Sequence, residues 1–253
     1  MTDVPVRDAA TVVLLRDSAS GPEVWLLTRV TQMAFAAGMA VFPGGRVEAA
    51  DAELPFAAGA ESGAAERLGC DPTHARALLG AAVRETFEEA GVLLTVPFAD
   101  LSGAWSDVET GRISFGDLLR QNGLVVDAPA LHLWSRWVTP VGEARRYDTR
   151  FFVCALPDGA HAQNVTSESS AGGWFDVAAA VEMAERGEIG LLPPTITTLA
   201  ALSRFDSVAD AIAAAPDQPL EPVQPTITVG EDGLPRVALP DGRLLPVPRR
   251  LLR

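Results

Sequence analysis

The run Arg84-Glu85-Thr86-Phe87-Glu88-Glu89-Ala90-Gly91-Val92 places three carboxylates within two helical turns. At about 100° per residue, Glu85, Glu88 and Glu89 stand at i, i+3 and i+4 and share one helix face. Leu79, Val83, Thr86, Phe87 and Ala90 then take the opposite, core-facing side, and Gly91 supplies the left-handed stop. Two carboxylates about 5 Å apart repel by roughly 3 kcal/mol at an effective dielectric near 20. A hard divalent cation, which prefers oxygen ligands, would convert that repulsion into a binding site. Taken alone, the run is also compatible with a solvated acidic helix face.

Two further features favour chemistry. Upstream, Phe42-Pro43-Gly44-Gly45-Arg46-Val47-Glu48-Ala49-Ala50-Asp51 is a strand end opening into a Gly-Gly turn backed by acids. Downstream, Glu168 precedes Trp174 in a Ser- and Gly-rich loop. On these residues the chain resembles the Nudix hydrolases, whose signature is G-x5-E-x7-R-E-U-x-E-E-x-G-U, with U apolar. Gly45 matches the first Gly, Asp51 stands where the signature has Glu, and Arg84 to Val92 supply the remainder, with Thr86 at the first U. The spacing departs, because 32 residues separate Asp51 from Arg84. The additional segment, approximately 52–71, is expected to loop out. Asp71-Pro72 then reads as N-cap and first residue of the helix that ends at Gly91.

An insertion inside the box resembles the coenzyme A diphosphatase branch, particularly its animal peroxisomal type. Leu133-Trp134-Ser135-Arg136-Trp137-Val138-Thr139-Pro140, Arg145-Arg146-Tyr147-Asp148-Thr149-Arg150-Phe151-Phe152 and Leu192-Pro193-Pro194 are similar to segments of that branch. The resemblance implies an α/β Nudix fold, a mixed β-sheet sandwiched between helices. It also implies hydrolysis of a diphosphate linkage in a small nucleoside diphosphate derivative. Mg²⁺ or Mn²⁺ would be held by Glu85, Glu88 and Glu89, with the backbone carbonyl near Gly45 as a further ligand. Arg84 would orient the row through its i, i+4 relation to Glu88, although a structural role fits its position equally. Glu48 and Asp51 would brace the turn or bind outer-shell water, with direct ligation of the metal as the lesser alternative.

Glu168 stands where the family places a metal ligand or general base, and Glu85 is the competing base. Arg145 and Arg146 are the candidates for gripping a second phosphate, with solvated turn residues as the alternative. The substrate implied is coenzyme A or acyl-CoA, cleaved to 3′,5′-ADP and a 4′-phosphopantetheine product. ADP-ribose or another nucleoside diphosphate derivative is the alternative. A non-catalytic nucleotide-binding module is disfavoured, since binding alone does not require the complete R-E-x-x-E-E. A homodimer is compatible with the family.

The whole chain sets the frame. Its 253 residues, 48% hydrophobic and 21% charged, suit one soluble core with appendages. A net charge of −13 argues against a nucleic-acid partner, which wants a basic stripe. Local cations and arginines can still set the field at a phosphate site. No apolar stretch reaches the roughly 18 residues of a membrane span, and no leader pattern is visible. Cys70 and Cys154 stand far apart in no metal-ligand spacing, as in a reduced, cytoplasmic protein. All the basic residues are Arg, which excludes a lysine base or Schiff base.

The positioning elements follow from periodicity. Strands are expected at 9–16, 23–29, 39–42, 92–96, 131–138, 147–156 and 174–177. Helices are expected at 71–90, 114–121 and 177–186, with a single amphipathic helix over 195–214. The Nudix domain would span 1–215. A Pro-rich linker would follow over 215–225, and strands at 226–229 and 236–239 would form a C-terminal hairpin packed on the same domain.

Overall fold

A computed structural model describes residues 4–29, 38–165, 169–230 and 232–247. The first strand, β1 (Val6–Ser18), decides the architecture. Ala10, Val12 and Leu14 enter one apolar layer, and Val13 and Leu15 enter another. A strand buried on both faces needs helices on each side.

In chain order there follow β2 (Gly21–Arg29), β3 (Ala40–Val41), β4 (Gly44–Arg46), α1 (Ser62–Leu68), α2 (Pro72–Ala90) and β5 (Thr95–Val96). Next come α3 (Trp105–Glu109), α4 (Phe115–Gln121), β6 (Val125–Val126), β7 (His132–Val138), β8 (Arg146–Ala155) and β9 (Ser169–Asp176). The chain continues through α5 (Val177–Glu185), α6 (Pro193–Leu202), α7 (Val208–Ala213), β10 (Thr226–Val229), β11 (Pro235–Ala238) and β12 (Leu244–Pro246).

The main sheet runs β3-β2-β1-β8-β7, with β4 added against β1 and β9 against β2. β1 and β8 are parallel over ten residue pairs, from Val6↔Arg146 to Leu15↔Ala155, while the other pairings are antiparallel. The expected mixed sheet is therefore present. Leu79, Val83 and Phe87 of α2 pack on Val12, Leu14 and Phe152 on one face. On the other face, Val177, Ala180, Leu199, Leu202 and Ala211 from α5, α6 and α7 cover Val13, Leu15 and Val153. The helix–sheet–helix sandwich follows.

α2 carries the acidic run and is bounded as the sequence indicates. The Asp71 side chain accepts from His74 N at 3.0 Å, Pro72 opens the helix, and Gly91 ends it at φ 69°. Thr86 is fully buried in the apolar face because its hydroxyl donates to the Ala82 carbonyl at 2.7 Å. Gly80 permits the closest approach along α2. A Cβ there would come within 2.2 Å of the Asp51 carbonyl oxygen, in the short 3₁₀ turn Ala49–Glu53.

Several elements differ from expectation. The segment between Asp51 and α2 does not merely loop out, since it forms the 3₁₀ turn and α1 and is fastened by arginines. Arg76 donates to the Ala52 and Leu54 carbonyls at 3.1 and 3.0 Å, and Arg120 donates to the Glu53 carbonyl at 2.9 Å. Arg67 of α1 donates to the carbonyls of Leu133, Ala215, Pro216 and Gln218. The helix expected over 195–214 is two helices. Ser207 is extended and caps α7 by accepting from Asp210 N, while Asp17 of β1 accepts from Val208 N. These contacts fix a new start that periodicity does not register.

The Pro-rich stretch is not a plain linker. Val223 donates to the Arg136 carbonyl and accepts from Val138 N, both at 2.9 Å, and so covers the outer edge of β7. The C-terminal hairpin gains a third strand, β12, in the order β10-β11-β12. Among the described residues, no helix is long and apolar enough to cross a membrane.

Candidate active site

Arg84 organises the acidic end of α2. Its Nε donates to Asp51 Oδ1 at 2.8 Å and its Nη2 to Asp51 Oδ2 at 3.1 Å. Its Nη1 donates to Glu85 Oε1 at 2.8 Å and to Glu88 Oε2 at 2.9 Å, and Nη2 also reaches the Arg46 carbonyl at 3.0 Å. A guanidinium has five N–H donors, and all five are used here. Burial works against its charge, yet the Asp51 hydrogen bonds and the facing carboxylates hold the guanidinium firmly protonated. Arg84 thus has no donor to spare for a phosphate. It both orients Glu85 and Glu88 and rivets the 3₁₀ turn to α2.

Asp51 is almost fully buried at 1% exposure and accepts a further bond from Glu48 N at 2.7 Å. Glu48 lies at the lip of the turn, where its side chain pairs with Arg46 at 3.3 Å. Both residues brace this turn.

The Gly-Gly turn seats the remaining carboxylates. Gly44 N donates to Glu89 Oε2 at 2.9 Å, which draws Glu89 into the protein at 8% exposure. Gly45 lies against Glu85, and a Cβ there would come within 2.4 Å of Glu85 Oε1. Any larger residue would push the Glu85 carboxyl out of its cradle. Burial is the largest influence on Glu85 and raises its pKa to about 7, with Arg84 opposing and Glu88 adding to the rise. Glu88 is raised as well, again chiefly by burial and against Arg84.

Glu85 and Glu88 thus converge on the Arg84 guanidinium, while Glu89 turns to Gly44. Among the described residues, no three acidic, histidine or cysteine side chains converge on one point in this arrangement. The donor set still suits a hard divalent cation. It comprises hard carboxylate oxygens, destabilised by burial, beside a glycine backbone with no side chain in the way. Glu168, the remaining candidate ligand or base, lies outside the described residues.

The proposed phosphate grips sit apart from this cluster. Arg145 is exposed in the turn before β8, whereas Arg146 is buried at 7% exposure with Nε donating to the Thr139 carbonyl at 3.3 Å. The strand register pairs Arg146 with Val6 and Gly45 with Ala10. Those positions are roughly 13 Å apart along β1 at 3.3 Å per residue.

Sequence reasoning missed two features. One is a ladder of charges across the sheet, in which Arg136 pairs with Asp148 at 2.6 Å, Arg150 with Asp148 at 3.1 Å and with Asp8 at 2.7 Å. Asp8 then meets His74 of α2 at 3.1 Å. The alternation of Asp148 and Arg150 along β8 was the available signal. Asp8, Glu48, Asp71 and His74 border an open cleft of about 500 Å³ beside this ladder. The other feature is Trp105, whose Nε1 donates to the Glu88 carbonyl at 2.7 Å, and no local pattern announced it.

A mixed sheet between helix layers, with a Gly-Gly turn clasped to an R-E-x-x-E-E helix, defines a Nudix hydrolase, an enzyme acting on diphosphate bonds. The profile of the NUDT19 Nudix domain matches residues 72–202, and the chain belongs to that family. It is 33% identical to the acyl-coenzyme A diphosphatase NUDT19 of Gallus gallus, over 95% of this chain and 80% of the relative. With the protein of the same name from Homo sapiens it shares 33% identity, over 60% of this chain but 47% of that protein. Among solved structures, a NUDIX hydrolase from Alicyclobacillus acidocaldarius superposes with a TM-score of 0.70 at 28% identity, covering 83% of this chain and 96% of the other.

Proposed function

We propose that this enzyme cleaves the diphosphate of coenzyme A or an acyl-CoA, releasing 3′,5′-ADP and a 4′-phosphopantetheine product. The observation that supports the substrate class most directly is the 33% identity to the chicken acyl-coenzyme A diphosphatase along nearly the whole chain. Diphosphate hydrolysis demands charge neutralisation and an aligned water more than covalent catalysis. Mg²⁺ or Mn²⁺ would supply that neutralisation, held by Glu85, Glu88 and Glu89 together with Glu168 and the Gly45 carbonyl.

The residues of the chain have separable duties. Arg84 holds the Glu85 and Glu88 carboxylates side by side, and Asp51 keeps Arg84 in place. Gly44 N fixes Glu89 by its carboxylate. Glu85 or Glu168 accepts the proton of the attacking water. Arg145 and Arg146 are assigned to the 3′-phosphate of coenzyme A, and a ligand reaching both them and the carboxylates must be extended.

A substrate panel with mass-spectrometric identification of products tests this reading. Each charge-assisted contact to the 3′-phosphate is worth about 1.5–3 kcal/mol. kcat/KM should therefore favour coenzyme A over dephospho-coenzyme A by roughly 10- to 100-fold. Arg145→Ala or Arg146→Ala should erase that preference by slowing coenzyme A alone. Faster cleavage of ADP-ribose than of coenzyme A would overturn the substrate assignment.

A further inference from the structure

We propose that Trp105 is a positioning residue for the Glu88–Glu89 pair, holding the last turn of α2 through the Glu88 carbonyl. The inference rests on the reading of that pair as metal ligands. Helices end with carbonyls that have no partner within the helix. In α2 the Phe87 carbonyl accepts from Gly91 N at 2.9 Å, which closes the cap. The carbonyls of Glu88 and Ala90 are met from other segments. Trp105 Nε1 donates to Glu88 at 2.7 Å, and Gln163 N donates to Ala90 at 3.0 Å.

This turn has more reason than most to fray. A helix C-terminus carries partial negative charge, which disfavours nearby carboxylates and favours cations. Here the last turn holds Glu88 and Glu89 and no basic residue. The indole N–H offsets one of the exposed carbonyl dipoles at the residue that also bears a proposed ligand. Trp105 is itself held, because α3 packs its half-buried ring, with Val108, against the core beneath α2. The indole therefore relates the main chain of Glu88 to a fixed part of the core, while Gly44 N fixes the Glu89 side chain. These main-chain and side-chain anchors, with Arg84 on the Glu88 carboxylate, define where the two carboxylates stand.

The test compares Mn²⁺ affinity, read by electron paramagnetic resonance on the full chain, among four variants. Trp105→Phe removes the N–H and part of the ring. Replacing Trp105 by benzothienylalanine, in which sulfur takes the place of N–H, removes the donor and keeps the shape. Both should bind Mn²⁺ roughly 3- to 10-fold more weakly, the equilibrium worth of one net hydrogen bond. Their kcat at saturating metal should stay within about twofold of wild type, with the loss confined to the metal half-saturation. Val108→Ala loosens the same helix without touching the hydrogen bond, so it should lower Tm and leave Mn²⁺ affinity unchanged.

Wild-type Mn²⁺ affinity in the isosteric variant would overturn the inference, as would an equal weakening in Val108→Ala. Glu88→Gln separates the metal site from the role of Trp105. If Glu88→Gln loses Mn²⁺ and the Trp105 variants do not, the metal site stands and the role of Trp105 falls. If Glu88→Gln binds like wild type, the metal reading falls and takes the role of Trp105 with it.

Discussion

Glu85→Gln in the metal-free protein gives a direct reading of how much burial costs this site. Glu85 has its pKa raised from 4.5 to about 7, burial being the largest cause. A difference of one pKa unit between folded and unfolded chains is worth about 1.4 kcal/mol, so the full linkage is roughly 3 kcal/mol. The sign follows from proton binding. Below pH 4.5 the carboxyl is protonated in both states and folding bears no charge penalty. Between 4.5 and 7 the unfolded chain ionises first, so stability falls as pH rises, and it levels off above 7.

Glutamine cannot ionise, yet its carbonyl can still accept from Arg84 Nη1, so the variant lacks the fall and keeps the contact. Urea unfolding in EDTA at pH 5 and pH 8 should therefore show the variant gaining about 2–3 kcal/mol on the wild type across that interval. A difference that stays constant between the two pH values would refute a carboxyl whose burial outweighs its pairing with Arg84.

Other consequences are equally open to measurement. Glu88→Gln or Glu89→Gln should lower kcat by at least ~100-fold, about 2.7 kcal/mol, and near-normal turnover in steady-state assays would remove both from the metal site. Millimolar Mg²⁺ or Mn²⁺ should raise Tm of the wild type but not of the triple Gln variant at 85, 88 and 89, since only a folded site binds; equal shifts would put the metal elsewhere. Asp51→Ala strips Arg84 of its bidentate partner in a buried setting and should cost about 3–5 kcal/mol by chemical denaturation, whereas a loss under 1 kcal/mol would show that Arg84 is held without it. Glu168→Gln should lower kcat roughly 100-fold with little change in KM if Glu168 is the base, with partial rescue at higher pH; recovery by extra Mg²⁺ alone would make it a ligand.

What the sequence disclosed was local. Asp71, Pro72 and Gly91 mark the ends of α2 because a cap is a contact between near neighbours. The acidic face was legible for the same reason, since i, i+3 and i+4 need no tertiary information. The partition of that face was not. Glu89 turns to Gly44, 45 residues away, and Arg84 turns to Asp51, 33 residues away, contacts that no window contains. The same holds for α1, whose placement depends on carbonyls near residue 215, and for Val223, whose strand-like pairing with β7 is invisible in a Pro-rich context. The break before α7 did carry a local signal, the Ser207 cap on Asp210, which apolar periodicity overrode; its second tie, to Asp17 in the first strand, lay outside any window. Trp105 showed no pattern at all, being one indole aimed at one carbonyl.

The arginine at position 67 anchors by a code that side chains do not spell. Each of its acceptors is a main-chain oxygen, at Leu133, Ala215, Pro216 and Gln218. Ala215 and Gln218 could therefore drift in sequence with the anchor intact, so long as the backbone keeps its path. The arginine has no such latitude, because lysine offers a point charge in place of a planar fork. Trimming the chain ahead of residue 215 would strand a guanidinium that three of those oxygens now satisfy. In this protein the piece inserted between Asp51 and α2 is thus mechanically tied to the piece that follows α7, and removing either leaves polar groups of the other without partners.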